Sequence, residues 1–142
     1  MSADVKPRVV RVITETAQAL TSTGDKATLS FPESANIVEI GVVIATVTAP
    51  TGTPVVAFDR RITAGSDTGR VDAGIGSITK AVASLTAGKI LRKQVSVEVS
   101  AGDQVVVEVT TAAGGAALTA IPYVVYYLSG SGAVEGDYVA SA

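Results

Sequence analysis

Alternation of apolar and polar residues dominates this chain. Its cleanest instance places Leu91, Val95, Val97 and Val99 on one parity, against Arg92, Gln94, Ser96, Glu98 and Ser100 on the other, broken only at Lys93. A period of two predicts a half-buried antiparallel strand. Ser100-Ala101-Gly102-Asp103 supplies turn chemistry, and Gln104 to Thr111 returns with Val105, Val107 and Val109 on one face. The pair is expected to form a hairpin.

The same reading extends along the chain. Val9 to Glu15 is a first strand, Thr21 to Asp25 a loop cluster, and Ala27 to Phe31 a short strand stopped by Pro32. Ile37 to Thr48 is the longest candidate: Val38, Ile40, Val42 and Ile44 share a core face, while Glu39, Gly41 and Val43 make a partly covered one. A turn from Ala49 to Pro54 leads into Val55 to Ile62, with Val56, Phe58 and Ile62 inward and Arg60 on that parity as an exception to explain. Gly65 to Gly76 is expected to be a long exposed loop, and Lys80 to Leu85 fits neither period. Thr111 to Ala117 opens a flexible gap before a last strand, Leu118 to Leu128, in which Pro122 implies an edge or a bulge. The remainder has the composition of a tail, with Val134, Tyr138 and Val139 as its anchoring candidates.

Seven or eight strands with short turns and no internal repeat predict an all-β, single-domain antiparallel β-sandwich, jelly-roll-like in the simplest case. The expected organisation is an N-terminal arm over residues 1–8, a sandwich over 9–128 and a flexible tail over 129–142.

Composition strengthens the β assignment and narrows the chemistry. Val, Ile and Thr fill 48 of 142 positions, and Val plus Ile number 32 against six Leu. Branching at Cβ costs rotamer freedom in helices and packs well on pleated sheets. His, Cys and Trp are absent, which removes imidazole and thiolate, the usual bases, nucleophiles and soft metal ligands near neutral pH. Eleven basic and thirteen acidic residues give a net charge of −2, with no like-charge run beyond Arg60-Arg61, so nucleic acid is not an expected partner. No signal-peptide h-region follows the N-terminal charges, and the most apolar stretch, Ile37 to Val47, is too short to cross a bilayer. Synthesis and retention in a cytosol, without a membrane, are the expectation.

Candidate sites were weighed against plainer readings. No Gly-x-Ser-x-Gly elbow is present, and Gly74-Ile75-Gly76 lacks both the third glycine and the strand-to-helix frame of a phosphate loop. Asp59, Asp67 and Asp72 lie in or near the long loop, and Glu98 and Glu108 fall on solvent parity, so solvated carboxylates are favoured over a catalytic pair. A calcium site from Asp67, Asp72 and Asp103 lacks any recognisable calcium-loop pattern. No metal and no cofactor are expected. Tyr123, Tyr126 and Tyr127 could stack on sugars, but packing or a protein interface is favoured.

Val55 to Ile62 followed by Gly65-Ser66-Asp67-Thr68-Gly69, then Ala87 to Leu91 and Ala101 to Ala113, resembles the small β-sandwich capsid decoration, or cement, proteins of tailed bacteriophages. The resemblance covers roughly residues 37–128 and consists mostly of strands and turns. It implies a non-enzymatic virion protein on the capsid exterior, made in the host cytoplasm. Such a protein bridges major capsid protein subunits and forms a homo-oligomer, with a trimer favoured over a dimer. Interface candidates, chosen by residue type, are Arg8, Arg11, Arg60, Arg61, Tyr123, Tyr126 and Tyr127. The competing expectation is a carbohydrate-binding or receptor-facing sandwich.

Overall fold

The fold follows from where the branched aliphatic residues can be buried. In a computed structural model describing residues 10–61 and 73–129, they line the interior between two antiparallel sheets. The strands are β1 (Arg11–Thr14), β2 (Gln18–Ala19), β3 (Gly24–Ser30), β4 (Ala35–Thr51), β5 (Val55–Arg61), β6 (Ala73–Thr79), β7 (Ile90–Val99), β8 (Gln104–Thr111) and β9 (Gly114–Leu128). A five-stranded sheet has the order β1-β9-β4-β7, with β2 also on β9, and a four-stranded sheet has the order β3-β8-β5-β6. The expected all-β sandwich is therefore present, with nine strands among the described residues.

The pairing is nested. β1 pairs with β9, β3 with β8, β4 with β7 and β5 with β6, as if one long hairpin had been folded over on itself. Ile37, Ile40, Val42, Ile44, Leu118 and Val124 from one sheet meet Leu29, Val56, Phe58, Val105, Val107 and Val109 from the other, with Phe31 between strands β3 and β4.

Nesting overturns one expectation. β7 and β8 do not form a hairpin: β7 pairs with β4, whereas β8 lies in the other sheet between β3 and β5. Ser100 to Asp103 is an arch from one sheet to the other. Alternation and a glycine turn specify two strands and a reversal, and they are equally satisfied when the strands sit in opposite layers.

A buried carboxylate fixes this arch. Asp103 is 3% exposed, the only charged residue buried among those described. Its Oδ2 accepts from Arg60 Nε at 2.9 Å and from the Ser100 amide at 2.9 Å, and Arg60 Nη2 lies 2.8 Å away. The Asp103 carbonyl accepts from the Phe31 amide, and Gly102, at φ 91°, donates to the Phe31 carbonyl. Arg60 points inward on β5 because its charge is neutralised there, which accounts for its parity.

Other differences have local causes. In β4, register shifts between Ile37 and Glu39 and between Ile44 and Thr46 mark bulges against β9. The first reverses the parity, so Ile37 is in the core and Val38, expected there, is only half-buried. Gly74, Ile75 and Gly76 belong to β6 instead of a loop, with Ile75 buried. The expected gap from Thr111 to Ala117 shrinks to Ala112 and Ala113, because β9 begins at Gly114 and pairs with the far end of β4. Gly115 adopts φ 94°, and a Cβ there would overlap the Ala49 carbonyl. Pro122 lies in an interior strand, not at an edge or bulge, opposite Val42 and where β1 ends and β2 has not begun. Its missing amide is tolerated at that interruption, and its carbonyl accepts from Thr14 Oγ1 at 2.9 Å. Lys80 to Leu85 contains a single 3-10 turn, Val82–Ser84. The arm, most of the loop beyond Arg61 and the tail after Ser129 lie outside the described residues.

Replacing Asp103 with Ala removes the acceptor shared by Arg60 and the Ser100 amide. Because Arg60 keeps 26% side-chain exposure, the expected loss is about 2–3 kcal/mol, below that of a fully buried pair. Urea unfolding measures it, and Arg60→Met in the Asp103→Leu background is expected to recover part of the loss.

Candidate interaction surface

One face of the five-stranded sheet covers the core, and its outer face would ordinarily be polar. The register gives its composition row by row. Val12, Val125, Glu39 and Gln94 stand side by side; then Thr14, Tyr123, Gly41 and Arg92; then Ile121, Val43 and Ile90. Val43, Ile121 and Val125 are half-buried, while Val12 and Ile90 are 61% and 55% exposed. Exposed Val12 and Ile90 thus stand at the two edges of this face, joined by half-buried Val125, Ile121 and Val43, with Thr14, Glu39, Gln94 and Arg92 among them. Contiguous exposed apolar surface of this kind marks contact sites.

Tyr123 organises the middle of that face. A Cβ on Gly41 would lie 2.5 Å from the Tyr123 ring, so glycine is required for the ring to lie across β4. Tyr123 Oη donates to Glu39 Oε2 at 2.7 Å. Burial, then the hydrogen bond and the negative charge of Glu39, push the phenol up to about 12, against an opposing effect of Arg92. The ring is a fixed, neutral patch with its hydroxyl already engaged. Near the sheet's end, Asn36 Nδ2 donates to Tyr127 Oη at 2.6 Å.

The interface candidates separate on this frame. Tyr123 and Tyr127 lie on the outer face. Tyr126 points the other way, with its ring edge-on to Phe31 at 5.0 Å and 80°, and is a half-buried packing residue. Arg11, opposite Tyr126 on β1, is exposed. Arg60 and Arg61 belong to the other sheet: Arg60 holds Asp103, and Arg61 Nη2 lies 3.7 Å from Asp25, with its Nε buried and without a hydrogen bond among the described residues. Arg8 lies outside the described residues, as do Asp67 and Asp72. Residue type selected tyrosines and arginines, and it missed Val12 and Ile90. The signal available for both was an apolar residue on the solvent parity of its strand.

Among the described residues, no group of three acidic side chains is placed to hold a metal ion, and no helix is long and apolar enough to cross a membrane. Asp103 is committed to the arch.

No family model and no curated protein sequence matches the chain. Among solved structures it is similar to a chain of the acidic stable capsid structure of Helicobacter pylori bacteriophage KHP30, at 12% identity and a TM-score of 0.38, over 84% of this chain and 94% of that one. At that distance the likeness says nothing about what this chain binds.

Alkaline titration followed by tyrosinate absorbance is expected to show a late phenol, near 12, that disappears in Tyr123→Phe. The folded state then holds a proton that the unfolded state, with a phenol near 10, has released. Stability contributed by this group is complete below about pH 10 and is lost as pH rises toward 12. Glu39→Gln should lower the value, but not to 10, because burial is the larger cause.

Proposed function

We propose that this protein is a non-enzymatic structural component of a virion, which docks on the outside of a capsid through the outer face of its five-stranded sheet. The observation that carries the reading is the apolar run across that face, with Val12 and Ile90 exposed. The sequence resemblance to phage decoration proteins supplies the setting: bridging of neighbouring major capsid protein subunits by a homo-oligomer, with a trimer favoured over a dimer. A rigid face suits such a lattice, since many copies placed together need only modest affinity each. Tyr123 adds fixed area at little entropic cost, because Gly41 and Glu39 already hold it.

Charging the face tests this directly. Val12→Glu combined with Ile90→Glu alters two exposed positions, so the melting temperature should stay within a few degrees of the parent. Co-sedimentation with shells built from the major capsid protein of the same virus should fall at least tenfold. Retained co-sedimentation would overturn the assignment of this face, and a parent protein that ignores such shells and binds glycans on an array would replace this reading with the carbohydrate-binding one.

A further inference from the structure

A second feature lies at the side of the sandwich. β6 ends the four-stranded sheet and β7 ends the five-stranded one, and among the described residues each pairs on one side only. The two edges run alongside each other without a ladder between them among the described residues. Near Gly76 the gap is narrow: a Cβ there would meet Lys93 Cδ at 3.6 Å and Val95 Cγ1 at 3.7 Å, both on β7. Further along it opens into a cleft of about 400 Å³, bounded by Ser77 to Lys80 on one edge and Ile90 to Lys93 on the other.

The cleft has three kinds of group in one place. Alternate amides and carbonyls of two unpaired strand edges point toward it, as open edges must. Ile78, Leu91 and Ile90 supply apolar surface. Lys80, Arg92 and Lys93 supply positive charge, and among the described residues no acidic side chain lines the cleft and none of the three makes an ion pair. In a chain whose net charge is −2, this is a local inversion of sign.

We infer that the β6–β7 cleft captures an extended acidic segment of another polypeptide by strand addition. Backbone pairing to the open edges supplies affinity and register, and side chains of alternating parity meet either the apolar surface or the three cations. Each wall spans four residues, about 13 Å of strand, so the captured element is short. A single-stranded nucleic acid fits less well, since among the described residues no aromatic ring lines the cleft to stack a base. The inference does not depend on the virion reading, because any partner with such a segment would satisfy it.

The probe is a fluorescein-labelled peptide, Glu-Val-Glu-Val-Glu-Val, followed by anisotropy on the full chain. Saturable binding is expected, with slower amide exchange at residues 90–93. Affinity should fall at least tenfold for Lys-Val-Lys-Val-Lys-Val, for a peptide with proline at the fourth position, and for the protein variant Lys80→Glu with Lys93→Glu. Both lysines are exposed, and an unchanged melting temperature checks that the variant folds. The proline peptide tests strand pairing without altering the protein. Absence of binding, equal binding of the proline peptide, or equal binding of polyglutamate or oligothymidylate would overturn strand capture and leave a simple cationic patch. A dimer that the peptide dissociates would instead assign the cleft to a second copy and overturn it as well.

Discussion

The arrangement depends on a single buried charge. A two-layer sandwich with nested pairing must carry the chain from one layer to the other, and each crossing leaves backbone groups that no ladder satisfies. At Ser100 to Asp103 the Asp103 carboxylate takes the Ser100 amide and the Arg60 guanidinium together, while its backbone and that of Gly102 close on Phe31. Asp103 joins the β7–β8 arch to β5 through its side chain and to the end of β3 through its carbonyl, across elements far apart in sequence. A carboxylate at this position without Arg60 would be a desolvated charge, and Arg60 without it would be an inward-facing cation, so the pair specifies the crossing even where its net stabilisation is modest.

That constraint sets the surfaces available for function. With β7 sent to the five-stranded sheet and β8 to the other, β6 and β7 become, among the described residues, the two edge strands on one side of the sandwich. Ile90 and Arg92 then stand where the outer face meets the cleft. The apolar face and the cationic cleft are therefore neighbours, and one partner could engage both: a flat contact across β1, β9 and β4, and a short strand beside β7. Nothing in either surface needs a nucleophile or a metal ion.

Strands were legible in the sequence where side-chain parity was uninterrupted, as from Gln94 to Ser100 and from Gln104 to Val109. Parity failed where the backbone departs from strict pleating. The bulge after Ile37 exchanged Ile37 for Val38 in the core, and Gly74 and Gly76 suggested a loop although both sit in β6. Which strands pair was not legible, because turn chemistry at Ser100 to Asp103 suits a hairpin and an arch alike. The same limit hid the candidate surface: Tyr123 and Tyr127 were selected by type, but their partition from Tyr126, and the company of Val12 and Ile90, depend on cross-strand register. Arg60 was the informative anomaly, a cation on core parity whose partner lies 43 residues away.

The central claim is that this protein acts by contact through the outer face of its five-stranded sheet. Hydrogen–deuterium exchange of the protein alone and assembled on capsid shells, read by peptide, is the most direct test. Slowed exchange concentrated in β1, β9 and β7, with β3 and β5 unchanged, is the predicted result. Protection confined to the four-stranded sheet, or none in any strand, would contradict it.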